Sequence, residues 1–194
     1  MTADTTRPRI EPLRAPYAPA VAEQLARWMP PGAAIEPLAL FRTLLIHEEL
    51  AGRMRPLGAG ILGARATVPA GLRELMIDRT CALAGAEYEW GVHVSAFGAA
   101  AGLDEQRVRA TAVEGSHADC WEPAQKAVLR LAEELHETST ISDELWAQLD
   151  ALFAEAQLIE LIVTAGWYHV IAYLCNGLRV ELEPWAARFP AHVS

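Results

Sequence analysis

An acid–base pair is present in the segment AGAEYEWGVH, residues 84–93. Glu89 and His93 are four residues apart, so on a helix they lie on one face and can touch. A carboxylate beside an imidazole fixes its tautomer and raises its pKa, which suits general acid–base catalysis. Glu74 lies on the preceding predicted helix, and a Gly-containing turn between the helices would bring it to the same face. The sequence therefore predicts Glu74, Glu89 and His93 as a catalytic cluster.

A structural interpretation of the same segment stays open. The acid–base pair could be a surface salt bridge, and Tyr88 and Trp90 could be core residues, as helical aromatics usually are. In the functional interpretation these two aromatics line a substrate pocket. Ala86, one turn before Glu89, would leave space in it.

Helices account for the hydrophobic pattern of the whole chain, and no segment predicts a strand. The predicted helices are 17–29 (stopped by Pro30 and Pro31), 38–48, a Gly-rich segment at 57–62, 69–85, 86–101, a short helix capped by Asp104, 121–137, a helix begun by the capping sequence TISD at 140–143, and 156–178. Their connections are short. We therefore expect an all-α bundle, with residues 1–15 as a flexible or surface-bound arm and 16–194 as a single domain.

Composition limits the classes of function. The chain has 194 residues, of which 52% are hydrophobic, and this indicates one globular domain. A net charge of −9 argues against a nucleic-acid partner, which would need clustered Lys and Arg. Three cysteines without a CxxC pair, and a first segment without an apolar signal core, fit a cytoplasmic protein. The uncharged run 161–178 approaches a membrane span in length, but its polar residues favour a buried helix and no membrane.

The chain from about residue 36 onward resembles the carboxymuconolactone decarboxylase family, which includes the alkylhydroperoxidase D-like proteins. The last helices, 127–149 and 157–183, are similar to those of the family. The motifs that carry the resemblance are Arg73-Glu74-Leu75, Tyr88-Glu89-Trp90, His93 and Ala101-Gly102-Leu103. The resemblance implies the alkylhydroperoxidase D-like helical bundle. It also implies a homo-oligomer, trimer or hexamer, with pockets near the interfaces.

The peroxidase branch of the family uses a Glu, then a CxxC pair, then a His one turn after the second Cys. Aligned on Glu74 and His93, the two thiol positions hold Ala86 and Glu89. A peroxidatic and a resolving thiol are both missing there, so the resemblance does not extend to that mechanism. Cys81 could act as a lone thiol, but apolar surroundings would raise its pKa and a buried structural role is expected.

The decarboxylase branch fits the remaining groups better. Loss of CO₂ from a lactone acid leaves a carbanion that must be protonated, with His93 as the donor, Glu89 tuning it, and Glu74 orienting the substrate or shuttling a proton. The same residues could run an isomerisation or a ring opening. A dicarboxylate substrate also needs a cation, for which Arg79 and Arg73 are candidates, although Arg79 could instead pair with Glu74 or Asp78.

These features predict a lyase or isomerase that needs no cofactor and acts on a small organic acid or lactone. The alternatives are an alkylhydroperoxidase-like antioxidant protein and a non-catalytic small-molecule binding protein. A metal held by the predicted catalytic cluster with His169 is a further option. Without HxxxH or HExxH we expect no metal, and His169 is expected to be a core or interface residue with a pocket role possible.

Overall fold

The computed structural model describes residues 7–30, 32–33 and 35–191, and within these ranges it contains helices and no β-strand. The all-α fold class is thereby confirmed. The helices are α1 (Pro19–Trp28), α2 (Ala39–Leu44), α3 (Glu48–Ile61), α4 (Ala70–Leu83), α5 (Glu87–His93), α6 (Glu105–Ala112), α7 (Pro123–Thr138), α8 (Asp143–Leu152) and α9 (Glu155–Leu178). Short 3₁₀ turns at Leu45–His47 and Gly115–His117 and a π turn at Val94–Gly98 complete the set.

Helix α4 is the centre of the bundle. It packs against α5, α6, α7 and α9, so its side chains are buried in nearly every direction. Leu75, Met76 and Ile77 follow each other in sequence and are all fully buried. Because the helix is enclosed, its polar residues Glu74 and Asp78 are buried as well, at 2% and 1% exposed. Such residues need partners or a shifted pKa to be tolerated there.

The turn between α4 and α5 sets the geometry of the site. Gly85 has φ +62°, a left-handed conformation that glycine adopts without a steric penalty. The N–H of Ala86 donates to the carbonyl of Cys81 at 2.8 Å across this turn. Helix α5 therefore folds back against α4.

Helix α9 has the length and apolar composition of a membrane span, yet 44% of its most apolar stretch is buried inside the bundle. It packs along α4 and also contacts α5. This packing places the residues on one side of the helix inside the bundle. One side of the helix remains exposed and mostly apolar: Ile159, Val163, Val170 and Tyr173.

Several predicted boundaries were wrong. The Gly-rich segment 57–62 is the end of a 14-residue helix, α3, which has Pro56 inside it. The predicted fifth helix is α-helical only to His93 and then widens into the π turn. Ser142, not Thr140 of the TISD sequence, caps α8, because its side chain accepts from the N–H of Leu145.

The N-terminal arm lies against the body over the residues that the structure describes. The N–H of Arg9 donates to the carbonyl of Leu178 at 2.8 Å, and that of Leu13 donates to Arg42 at 3.3 Å. These two bonds fit the surface-bound form of the arm for residues 7–15. Residues 1–6 and Pro31, on which parts of the predictions fall, lie outside the described residues.

Candidate active site

The structure brings the three predicted catalytic side chains together. His93 Nδ1 lies 2.8 Å from Glu74 Oε2, and its Nε2 lies 3.4 Å from Glu89 Oε1. Glu74, Glu89 and His93 are only 2%, 7% and 4% exposed. The glutamate on α4 and the pair on α5 therefore hold the imidazole from both sides, and the surface salt bridge that the sequence left open is not what forms.

Tyr168 on α9 is a fourth member that the sequence did not single out. Its hydroxyl lies 3.1 Å from His93 Nε2, and the two rings meet edge to face with centroids 5.0 Å apart. His169, which the sequence did single out, faces away: its Nε2 lies 3.0 Å from His136 Nδ1. Consecutive helical residues point about 100° apart, so only one of the two could reach the site. The sequence signal that could have pointed to Tyr168 was a tyrosine within an otherwise apolar helix.

Asp78 is a second residue that sequence reasoning missed. It follows Glu74 by one turn of α4, and neither carboxyl oxygen has a hydrogen-bond partner among the described residues. Burial raises the pKa of Asp78 well above its usual range; His93 opposes this shift and Glu74 adds to it. Asp78 therefore binds its proton more tightly than an exposed aspartate does. Its spacing of four from Glu74, like that of Glu89 from His93, was the available signal.

The electrostatics of His93 are set by its two carboxylates. Burial by itself lowers the pKa of His93, because the imidazolium loses water. The hydrogen bonds with Glu74 and Glu89, and the charges of both, outweigh burial and raise the pKa to about 10. At neutral pH the ring is thus an imidazolium, with Nδ1–H donating to Glu74 and the Nε2 proton directed at Glu89 and Tyr168.

An apolar cavity of about 330 Å³ reaches the buried cluster, since His93 is one of the residues that line it. Its polar lining at the buried end is Glu89, His93 and Tyr168, while Glu74 lies behind the imidazole and does not line it. Two arginines, Arg27 and Arg55, line the more exposed end. Aromatic and aliphatic side chains form most of the remaining wall, among them Trp28, Phe41, Met54, Phe97, Trp167 and Trp185.

The aromatics predicted to bind substrate do not line this cavity. The Tyr88 hydroxyl donates to Glu183 Oε1 at 2.7 Å and accepts from the N–H of Leu40. Trp90 donates from Nε1 to Thr111 Oγ1 at 3.0 Å. Since both residues adjoin Glu89 on α5, they point to other sides of the helix and join it to its neighbours.

Arg79 and Ala86 are also placed in structural contacts. Arg79 Nε donates to Glu133 Oε1 at 2.8 Å, which joins α4 to α7 instead of supplying a cation to the cavity. Ala86 is fully buried and packs in a cluster with Ile77 and Trp90.

Cys81 lies on α4 at the back of the site. The thiol is fully buried. Burial raises its pKa well above the usual range, and the carboxylates of Glu89 and Asp78 add to the shift. It is therefore a thiol and not a thiolate at neutral pH, so it lacks the nucleophile that a peroxidatic cysteine supplies. The part of the chain that the structure describes has no group of three or more His, Cys, Asp or Glu residues arranged to hold a metal ion.

Comparison with solved structures identifies the fold. The debrominase Bmp8 superposes with a TM-score of 0.75 at 19% identity over 91% of this chain and 92% of its own. An uncharacterised peroxidase-related protein from Ralstonia eutropha JMP134 with an alkylhydroperoxidase AhpD core gives 0.71 at 16% identity over 90% and 93%. A protein of unknown function from Agrobacterium tumefaciens gives 0.64 at 17% identity over 72% and 94%. No protein-family model matches the chain, and the search of curated proteins found no significant match. The fold is alkylhydroperoxidase D-like, as the sequence resemblance implied.

Proposed function

We propose that this chain, whose fold is that of the alkylhydroperoxidase D-like proteins, is an acid–base enzyme, a lyase or isomerase that protonates a carbanion or enolate on a small organic molecule. The observation that carries the proposal is His93, which lines an apolar cavity together with Glu89 and Tyr168, the two groups beside its Nε2, while buried Glu74 holds Nδ1. The similarity to the debrominase Bmp8, an enzyme, supports catalysis at the level of the fold only.

The raised pKa of His93 determines what kind of proton transfer this site favours. An acid with a pKa of about 10 stays protonated at neutral pH and gives its proton readily only to a strongly basic atom. The carbon or oxygen of an enolate is such an atom. The apolar wall strengthens the attraction between the imidazolium and the developing negative charge, since little water screens it.

Each polar residue then has a separate role. His93 donates the Nε2 proton to the substrate. Glu74 fixes the tautomer and stabilises the imidazolium, but it does not line the cavity and so does not orient the substrate. Glu89 lies within reach of Nε2 and lines the cavity, so it can return a proton to the ring or remove one from the substrate. Tyr168 holds the ring in place and can donate to a developing oxyanion.

Decarboxylation is one member of this class, in which the C–CO₂⁻ bond breaks, its electron pair forms the enolate and His93 supplies the proton. A dicarboxylate substrate would find no arginine in the inner lining of the cavity, because Arg79 pairs with Glu133 and Arg73, 3.5 Å from Glu74, does not line the cavity. An isomerisation, in which Glu89 removes one proton from the substrate and His93 returns another, does not require the substrate to carry a second carboxylate. The second activity named for this fold, peroxidase chemistry, is disfavoured by the buried Cys81.

The test is proton exchange. Small cyclic ketones, lactones and lactone acids would be incubated with the enzyme in D₂O, with deuterium incorporation and CO₂ release followed by NMR and mass spectrometry. His93→Gln and Glu89→Gln should each lower the rate by about 10²- to 10⁴-fold, the usual contribution of a general acid or base. Cys81→Ala should leave the rate unchanged and serves as the control for a buried substitution in the same site.

Two results would count against the proposal. Consumption of alkyl hydroperoxides that Cys81→Ala abolishes would identify a peroxidase. Thermal stabilisation by the compounds without exchange or product in any of them would identify a binding protein.

A further inference from the structure

The two ends of the cavity differ in charge, and the difference bears on the substrate. At the buried end Glu74 and Glu89 flank the imidazolium of His93, and Arg73 lies 3.5 Å from Glu74 without lining the cavity, so the charge there is not positive overall. The exposed end is lined by Arg27 and Arg55. An anionic group is therefore attracted to the mouth and finds no surplus cation beside His93.

Of the two arginines at the mouth, Arg55 is the one with an uncommitted charge. Arg27 pairs with Glu23 at 2.5 Å on the outer surface of α1. Arg55 has no carboxylate partner within residues 7–30, 32–33 and 35–191: its Nε and Nη2 both donate to the carbonyl of Arg27, at 3.2 and 2.8 Å. These two bonds hold the half-buried guanidinium at the end of α1, and Nη1 has no hydrogen-bond partner among the residues that the structure describes. A carboxylate can satisfy it with a charge-assisted hydrogen bond.

The wall between the two ends suits a ring. Its area is mostly hydrophobic and includes the indoles of Trp28, Trp167 and Trp185 and the rings of Phe41 and Phe97. A volume of about 330 Å³ is near the lower end of small-molecule sites. A compact planar molecule fills such a space and buries apolar surface against the aromatic rings. A flexible dicarboxylate would instead lose the hydration of its inner charge without a partner.

We infer that the substrate is a ring-bearing monoanion whose carboxylate or phenolate is held by Arg55 at the mouth, with the carbon that accepts the proton at His93 Nε2. The inference rests on the proposed function only for the identity of the reacting end. The binding geometry stands on the cavity, and it can be tested without turnover.

The experiment is calorimetric titration with three probes: 2-naphthoate, 2-naphthamide and trans,trans-muconate. The first two share a ring and differ in charge, and the third is a dicarboxylate without a ring. Naphthoate should bind at least fivefold tighter than naphthamide and tighter than muconate, and its advantage over the amide should shrink at high salt. Arg55→Gln should abolish the preference for acid over amide. Arg53→Gln should preserve it, because Arg53 lies on the same helix, is exposed and pairs with Glu49 outside the cavity.

The outcomes separate this inference from the proposed function. Equal binding of naphthoate and naphthamide, or equal losses in Arg55→Gln and Arg53→Gln, would overturn the role of Arg55. Tighter binding of muconate than of naphthoate would overturn the inference that the substrate carries a ring and a single negative charge. His93→Gln should keep the preference for naphthoate, so a failure of the proton-exchange assays would not by itself remove the binding result.

Discussion

The pH dependence of stability offers the sharpest check on the buried cluster. The pKa of His93 is raised from its ordinary 6.5 to about 10, so the folded chain binds this proton more tightly than the unfolded chain does. The stabilisation is complete below pH 6.5 and is lost as the pH rises through about 10. One pKa unit corresponds to about 1.4 kcal/mol, so the full loss is on the order of 5 kcal/mol, of which about 3 kcal/mol falls between pH 6.5 and 9.

Glu74→Gln is the matched perturbation. The amide oxygen can still accept from Nδ1–H, but one of the two charges that stabilise the imidazolium is gone, and Arg73 loses the same carboxylate partner. The variant should be less stable than the wild type at pH 7 by about 2–4 kcal/mol, and its free energy of unfolding should fall less between pH 6.5 and 9. The assay is urea denaturation at half-unit pH steps, together with an NMR titration of the His93 ring.

A histidine outside the site supplies the control. Burial, and after it the neighbouring His169, lowers the pKa of His136, so this residue contributes pH dependence only below about pH 6.5. His136→Gln should therefore leave the slope above pH 6.5 unchanged. The reasoning is refuted if the wild type shows no loss of stability between pH 6.5 and 9, or if the His93 ring titrates near 6.5.

Two further predictions concern residues beyond the cluster. Asp78→Asn should stabilise the protein above pH 4. The folded state raises the pKa of Asp78, so above pH 4 the wild type loses up to about 1.4 kcal/mol of folding free energy per pH unit relative to the unfolded chain. Urea titrations of both proteins at pH 4 and 7 measure the difference in stability, and a variant less stable than the wild type at pH 7 would contradict the prediction. The homo-oligomer implied by the family resemblance remains a prediction, and the exposed apolar side of α9 is the surface we expect it to use. Val170→Asp should lower the mass measured by sedimentation equilibrium, whereas Glu137→Gln, a charge change on α7, should not. A monomeric wild-type chain would contradict the prediction.

The sequence was most informative where local rules decide the structure. Gly85 marked the end of α4, Asp104 was predicted as the cap of α6 and does accept from the N–H of Arg107, and the four-residue spacing placed Glu89 and His93 on one face. Helix α3 was underestimated because its glycines and Pro56 lower helix propensity, while packing of Ala51 and Ile61 into the bundle holds the helix together.

The parts of the site that could not be predicted depend on how whole helices are rotated. Tyr168 and His169 are neighbours in sequence, and only the packing of α9 on α4 decides which of them reaches His93. The same holds for Arg79. Its guanidinium could bind a substrate carboxylate, but the packing of α7 against α4 places Glu133 beside it. Patterns within one helix cannot report which other helix it will face.

The π turn at Val94–Gly98 has a consequence for how such a site can diverge. A π turn accommodates one residue more than the α-helix it interrupts, and here it begins directly after His93 and places the Phe97 ring 5.1 Å from the imidazole. Deleting a single codon within it would restore the α-helical register and swing Phe97 by about 100°, while Glu74, Glu89 and His93 keep their positions. Descendants of this chain can thus acquire a differently shaped cavity through one short deletion, with the proton-transfer groups inherited intact.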